Sequence, residues 1–198
     1  MIVAVLLDLL MATMDSVSTW SSAAKDRERG LAWRDAVTER MIAAGRYVPY
    51  DYLVAAAAAD LRLPADAPDR LRSAWREMRP WPDVVALRRL SVPFAFVTNC
   101  STALAAEAAQ RSGLEPAFTL SAEESGWYKP RPEMYRLACD RLGVSMGGVH
   151  FVAGAPYDAL GARAAGLRAT LVARRPPAGR LPPGIAVMSS LSEALPVG

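Results

Sequence analysis

The chain opens with a continuous apolar run, Ile2 to Leu7, that ends at the charged residue Asp8. Such a run, rich in β-branched and aliphatic side chains, is typical of a strand buried on both faces of a parallel sheet. Open α/β sheets place their chemistry at the carboxyl ends of such strands. The pattern therefore predicts a central first strand with a functional carboxylate at its end.

The next stretch, about residues 16–90, has apolar positions at helical spacing throughout. One predicted helix has Trp33, Ala36, Val37, Met41 and Ile42 on a single side. The helices predicted in this stretch are Arg27 to Ala44, Tyr50 to Leu61, Asp69 to Met78, which ends at the Pro80-Trp81-Pro82 cluster, and Asp83 to Leu90.

From residue 91 onward, short apolar runs alternate with helical patterns. This order predicts an α/β fold: a parallel sheet with helices on both faces and right-handed crossovers. The predicted strands are Pro93 to Val97, Phe118 to Leu120, Val149 to Val152, Ala169 to Val172 and Ile185 to Met188; the predicted helices are Ser101 to Ser112, Pro132 to Leu142 and about 158–165; Arg174 to Pro183 reads as a loop.

The position of the helical block predicts two domains. Residues 1–15 and 91–198 form the core domain, and residues 16–90 form a helical cap inserted after the first strand. An insertion at this point lies above the carboxyl edge of the sheet, where we expect it to act as a lid.

Composition narrows the class of protein. The 198 residues are 52% hydrophobic and 22% charged with a net charge of +3, which fits a globular chain without a nucleic-acid-binding tract. The apolar opening lacks a basic start, and no apolar run reaches the roughly 20 residues of a membrane span, so we expect neither a signal peptide nor a membrane protein. The low cysteine count indicates a cytoplasmic protein.

The same composition disfavours two kinds of site. The single histidine, His150, and the two cysteines, Cys100 and Cys139, which are far apart and lack metal-ligand spacing, favour neither a zinc site nor a Ser-His-Asp triad. Cys100 stands in a candidate loop without an obvious base, so a packing role is favoured over a nucleophilic one.

Polar residues follow the ends of several predicted strands: Asp8, Thr98 with Asn99, Lys129 and Asp158. In a parallel sheet these ends converge on one crevice. Asp8 could act as a nucleophile or a metal ligand, and Lys129 could form an ion pair with it. Thr98 and Asn99 could bind an anion at a helix N-terminus, and Asp158 could activate a water molecule. Taken singly, Asp8 could also be a turn residue and Lys129 a solvated lysine. Thr98, Asn99 and Asp158 could also be helix caps.

Several motifs, in order along nearly the whole chain, resemble the haloacid dehalogenase superfamily, and most closely its L-2-haloacid dehalogenase branch. They are VAVLLDLLMATMDSV, AWRDAVTERM followed by GRYVPY, FVTNCS, YKPRPEMY and FVAGAPYDALGARAAG. The resemblance implies a Rossmann-like core with an inserted helical cap and, as in relatives of this branch, a possible homodimer.

The resemblance also implies roles for particular residues. Asp8 is the expected nucleophile, with Lys129 and Tyr135 at the matching positions of the third motif and Asp158 in the fourth. Arg34, in the Trp-Arg pair of the cap helix, and Asn99 are expected to receive the leaving halide. The implied activity is hydrolysis of a small 2-haloacid through an ester on Asp8, without a metal or other cofactor.

Departures from the family pattern keep two alternatives open. Superfamily phosphatases carry acids where this chain has Leu10 and Gly154, which makes a phosphatase the less favoured alternative. The dehalogenase branch has Gly-Thr where this chain has Met11-Ala12, followed by Thr13, and Ser and Asn where it has Ala153 and Ala155. The second alternative is therefore a catalytically impaired relative that binds a small acid or a partner protein.

Overall fold

A six-stranded parallel sheet forms the centre of the computed structural model, which describes residues 1–174 and 184–195. Its strand order is β3-β2-β1-β4-β5-β6, so the α/β fold expected from the sequence is confirmed. The strands are β1 (Ala4–Asp8), β2 (Phe94–Thr98), β3 (Thr119–Ser121), β4 (Val149–Ala153), β5 (Arg168–Val172) and β6 (Ala186–Met188).

Strand β1 lies in the middle of the sheet and is buried along its whole length. Asp8 is level with Val97 of β2, and Leu7 is level with Val152 of β4. The carboxyl ends of these three strands therefore meet at one edge, as the convergence of polar residues predicted.

Helices connect β1 to β5 in turn, as parallel pairing requires. The described helices that follow β2 are α5 (Thr102–Arg111), α6 (Ala122–Ser125), α7 (Pro132–Leu142), α8 (Pro156–Ala164) and α9 (Leu191–Ala194). Within the described part of the chain, no helix combines the length and apolar character needed to cross a membrane.

A helical insertion separates β1 from β2. It consists of α1 (Ser16–Ala24), α2 (Arg27–Ala44), α3 (Tyr50–Asp60) and α4 (Ala67–Trp75), which pack on one another. The bounds of α2 match the prediction. Its buried residues are Gly30, Trp33, Val37 and Met41, whereas Ile42, expected on the same side, is 39% exposed, because it lies about 100° further round the helix.

Backbone hydrogen bonds join the α1–α4 insertion to the core near residues 13–15 and beyond the end of α2, and Trp75 Nε1 of α4 adds a side-chain bond to Leu104 O of α5 at 3.1 Å. Residues 13–15 run beside 79–81, where Asp15 N donates to Arg79 O at 2.8 Å and Trp81 N donates to Thr13 O at 2.9 Å. At the far end of α2, Tyr47 N donates to Gly126 O at 2.9 Å and Tyr128 N donates to Gly45 O at 2.8 Å. The second junction ends one residue before Lys129.

Some elements differ from the sequence prediction. The helix expected from Asp83 to Leu90 is a 3₁₀ helix at Pro82–Arg89, in which Asp83 accepts a hydrogen bond from Leu191 N of α9. The short helices α6 and α9 were not predicted. The predicted loop from Arg174 to Pro183 lies, apart from Arg174, outside the described residues.

Candidate active site

A π-helical turn, Leu9–Thr13, begins at Asp8 and holds its carboxylate in place. Met11 N and Ala12 N donate to Asp8 Oδ2 at 2.8 and 3.3 Å. The Thr13 hydroxyl donates to the main-chain oxygen of Asp8 at 3.1 Å and not to its carboxylate. Backbone amides therefore bind the carboxylate of Asp8, whereas the Thr13 hydroxyl binds the main-chain oxygen of Asp8.

Lys129 connects the three strand ends. Its Nζ donates to Asp8 Oδ1 at 2.8 Å, to Val97 O at 2.8 Å and to Asp158 Oδ2 at 2.6 Å, and its side chain is fully buried. Burial would lower the pKa of Lys129, but the carboxylates of Asp158 and Asp8 outweigh it and raise that pKa. Lys129 is therefore an ammonium ion with an acceptor for each of its three protons.

Asp158 lies in the first turn of α8, whose N-cap is Ala155, so the reading of Asp158 as a helix cap is wrong. The Tyr135 hydroxyl donates to Asp158 Oδ1 at 2.5 Å. Burial raises the pKa of Asp158 to about 6, although Lys129 and Tyr135 favour the ionised form. This value places its protonation close to neutral pH.

Asn99 binds the backbone of Lys129, whereas Thr98 is buried beside Cys100. Both ends of the Asn99 amide bind the backbone of Lys129: Lys129 N donates to Oδ1 at 2.8 Å and Nδ2 donates to Lys129 O at 2.9 Å. Thr98 is buried, with its hydroxyl 3.6 Å from the sulfur of Cys100. Neither residue caps α5, because Ser101 does so.

Cys100 is buried beside this group of residues. Burial raises the pKa of its thiol to about 12 even though Thr98 acts in the other direction. A neutral buried thiol is a poor nucleophile, which supports the packing role expected for Cys100.

A cavity of about 570 Å³ lies between the strand ends and the α1–α4 insertion. Of the expected site residues, Asp8, Arg34 and Asn99 line it. Lys129, Tyr135 and Asp158 are not part of its wall and are at most 1% exposed. They form a buried layer that contacts Asp8 through Lys129. Thr98 is not part of the wall either.

The cavity wall includes several residues that the sequence interpretation missed: Met11, Trp20, Tyr50, Tyr157 and Arg174. Helical periodicity assigns aromatic residues such as Trp20 and Tyr50 to the core, so it gives no signal of a cavity. Arg174 follows the end of β5, and the rule that identified Asp8 and Asp158, a charged residue after a strand end, could have identified it.

Arg174 links the π-helical turn to Asp83 of the 3₁₀ helix. Its Nη2 donates to Ala12 O at 2.6 Å, and its guanidinium forms a bidentate pair with Asp83 at 2.8 and 2.9 Å. The guanidinium also lies over the Trp81 ring, whose Nε1 donates to Met11 O at 3.3 Å. Arg174 and Trp81 thus bind the carbonyl oxygens of Ala12 and Met11, while the backbone amides of the same two residues bind Asp8.

Gly154 packs tightly against the same turn. A Cβ at this position would lie 2.3 Å from Met11 Cβ and 2.4 Å from Ala12 N. No side chain fits there without displacing the backbone, so the acid that superfamily phosphatases carry at this position has no room. Within the described ranges, no group of three or more histidine, cysteine, aspartate or glutamate residues is placed to hold a metal ion.

Comparisons with known proteins agree with this geometry. Residues 51–166 match the family model of the haloacid dehalogenase-like hydrolases. The chain is 33% identical to (S)-2-haloacid dehalogenase 4A of Burkholderia cepacia over 65% of this chain and 59% of that one. It is 31% identical to haloacetate dehalogenase H-2 of Moraxella sp. (strain B) over 53% of this chain and 50% of that one.

The chain thus spans about half to three fifths of the length of the curated relatives it matches. Among solved structures, a dehalogenase with an intermediate complex superposes with a TM-score of 0.82 at 26% identity, covering 97% of this chain and 95% of that one. The family match extends over more than half of the chain and includes Lys129, Tyr135 and Asp158. The protein therefore belongs to the haloacid dehalogenase-like hydrolase family.

Proposed function

We propose that this hydrolase cleaves the carbon–halogen bond of a short (S)-2-haloacid through an ester on Asp8. The observation that carries the proposal is the Asp8 carboxylate at the cavity wall, held by two backbone amides and Lys129. These three donors fix the direction of the carboxylate, as a nucleophile requires. The α1–α4 insertion covers this nucleophile as a cap.

In the first step, a carboxylate oxygen of Asp8 attacks the substrate Cα and the carbon–halogen bond breaks. The electron pair of that bond leaves with the halide, so no acid is needed to protonate a leaving group. The guanidinium of Arg34, which lines the same cavity, stabilises the departing anion, with Asn99 nearby in the wall. The configuration at Cα is inverted.

In the second step, water attacks the carbonyl carbon Cγ of the ester and the Cγ–Oδ2 bond breaks. The 2-hydroxy acid leaves with the former Oδ2 and a proton, and Asp8 returns as a carboxylate that carries an oxygen from water. Alkylation of Oδ2 leaves Oδ1 beside the Lys129 ammonium, which stabilises the oxyanion that forms. The negative charge on Asp8 contributes to the raised pKa of Asp158, so ester formation lowers that pKa. Asp158, which with a pKa of about 6 is already mostly ionised at pH 7, is then the base that accepts the proton of the attacking water.

The contacts of the buried layer favour an active enzyme over the impaired alternative. Ala153 and Ala155 stand where relatives carry serine and asparagine, yet Lys129 has three acceptors without them. Asp158 likewise receives hydrogen bonds from both Lys129 and Tyr135. The charges of the proposed mechanism are therefore compensated without the missing residues.

Halide release tests the proposal directly. We expect the wild-type protein to release chloride from L-2-chloropropionate in buffer containing a chelator, and Asp8→Asn, which keeps the shape of the side chain, to release none above background. Equal release by both proteins would refute the proposed role of Asp8.

A single turnover in H₂¹⁸O distinguishes the ester route from direct attack by water. Hydrolysis of the ester puts ¹⁸O into the carboxylate of Asp8, where mass spectrometry of the peptide detects it. Label in the released hydroxy acid and none in Asp8 would contradict the ester intermediate.

A further inference from the structure

The guanidinium of Arg34 is held from two sides in the cavity wall. Its Nε and Nη2 donate to Asp35 Oδ1 at 3.1 and 2.5 Å, and its Nη1 lies 2.9 Å from the sulfur of Met11. The Arg34 side chain is only 14% exposed. Its positive charge is therefore already paired with a carboxylate before any substrate binds.

Asp35 belongs to the same cavity wall, but its side chain is 52% exposed, which places it at the mouth. Adjacent residues on a helix do not face one another, so the contact depends on the long Arg34 side chain bending toward Asp35. Because Asp35 remains largely hydrated, the pair is weak. Exposed pairs of this kind shift an equilibrium by up to about fivefold.

A carboxylate is also the anionic group of a 2-haloacid. Arginine binds carboxylates through the same fork of N–H donors whatever their source. A substrate carboxylate or a departing halide must therefore compete with Asp35 for Arg34. The weakness of the Arg34–Asp35 pair makes exchange possible at modest cost.

We infer that Asp35 is an affinity-setting residue that occupies Arg34 in the empty site and is displaced by the anionic group of the substrate. The inference rests on the proposed function, in which Arg34 receives an anion. Asp35 thereby lowers the apparent affinity of every anion that binds Arg34 by one common factor, which is set by the fraction of molecules in which the Arg34–Asp35 pair is formed.

Glu39 provides a matched control for this inference. It lies one helical turn beyond Asp35 on α2, lines the same cavity and is also exposed. The described contacts of Arg34 are with Asp35, Met11 and Thr38, and not with Glu39. Asp35→Asn and Glu39→Gln remove the same charge from the same mouth, but only the first removes the competitor for Arg34.

The test measures the dissociation constant of propionate, which has the carboxylate of the substrate but no halogen to lose. Titration calorimetry on the wild-type protein, Asp35→Asn and Glu39→Gln compares the three. We expect Asp35→Asn to bind propionate about threefold to fivefold more tightly, and Glu39→Gln to stay within about 1.5-fold of wild type. The KM for L-2-chloropropionate should fall in Asp35→Asn by the same ratio.

Three results would overturn the inference. Equal tightening in both variants would indicate a general charge effect at the mouth. Unchanged or weaker binding in Asp35→Asn would mean that Asp35 holds Arg34 in its binding position, and failure of all three proteins to bind propionate would remove the anion site. Propionate binding requires no reaction, so these results are separate from halide release, which decides the proposed function.

Discussion

Tyr135 donates its hydroxyl proton to Asp158 across 2.5 Å, from the middle of α7 to the first turn of α8. This bond favours the ionised carboxylate and so acts against the burial that raises the pKa of Asp158 to about 6. In the proposed mechanism Asp158 works as a base, so activity requires its ionised form. Because Asp158 acts in hydrolysis of the ester, the acid limb should appear in kcat at or somewhat below pH 6, since the charge on Asp8 that helps to raise this pKa is absent from the ester.

Tyr135→Phe should move that acid limb to higher pH. Without the hydroxyl, the pKa of Asp158 rises further, by about one pH unit for a hydrogen bond to a charged group, and the base is ionised only at higher pH. The measurement is kcat for steady-state halide release across pH 5 to 9, because kcat/KM ends at the irreversible loss of halide, before Asp158 acts. Tyr128→Phe is the control, since it also removes a buried hydroxyl, which donates to Val48 O, but does not contact Asp158. A limb that stays in place in Tyr135→Phe would contradict this account.

Lys129→Met should abolish activity and destabilise the protein most at neutral pH. It leaves Asp8 and Asp158 without their shared cation, and removing one partner of a buried ion pair costs about 3–5 kcal/mol. Loss of Lys129 raises the pKa of Asp158 further above its unfolded value of 3.8. The deficit in stability should therefore be small below about pH 4 and grow as the pH rises through the folded-state pKa.

Thermal unfolding from pH 4 to 8 measures this dependence. Lys129→Met combined with Asp158→Asn should regain part of the lost Tm at pH 7, because one uncompensated charge has been removed. If the double variant is no more stable than Lys129→Met, the loss of stability in Lys129→Met does not come from an unpaired carboxylate charge.

Gly154→Asp should not create a magnesium-dependent phosphatase. The Cβ of any residue at this position would collide with Met11 Cβ and Ala12 N, so the change should cost about 1–3 kcal/mol and distort the turn that binds Asp8. Gly154→Ala should cost a similar amount, which separates the clash from the added charge. Urea unfolding and hydrolysis of p-nitrophenyl phosphate with magnesium provide the two measurements. An unaltered free energy of unfolding in Gly154→Ala would show that the turn moves to accommodate a Cβ without cost.

Arg174→Met should lower kcat for halide release by about tenfold or more while leaving KM within about twofold. Arg174 binds the carbonyl of Ala12, whose amide donates to Asp8, so its loss loosens the nucleophile and not the anion site. Asp83→Asn, which weakens the ion pair from its other end, should give a smaller effect. A rise in KM without a change in kcat would contradict the positioning role.

The features that could be predicted from the sequence are those in which runs of apolar residues form buried strands. Strand β1 and the ends of β2 and β4 are apolar runs, so their pairing and the convergence of Asp8, Lys129 and Asp158 followed from periodicity and topology. The resemblance to the haloacid dehalogenase superfamily, and the relation to dehalogenases within it, are confirmed by the family match and the similar proteins.

Other features had no signal in the sequence. The π-helical turn shifts hydrogen bonding by one residue relative to an α-helix, and no propensity marks that shift, so the position of Thr13 could not be interpreted. Both ends of the Asn99 amide bind the Lys129 backbone, a pairing that depends on the distance between two loops, while the expected contact of Asn99 with the halide stays a prediction. The contact of Asp35 with Arg34 depends on a single side-chain rotamer, which periodicity does not determine.

The junction between Gly45–Tyr47 and Gly126–Tyr128 has a consequence for protein engineering. Helix α2 carries Arg34, and its far end is hydrogen-bonded to the residues that lead into Lys129. The insertion is therefore not an exchangeable module. A chimera that imports α1–α4 from a relative should carry residues 126–128 of the same relative with it, or the foreign helix will shift the backbone of Lys129.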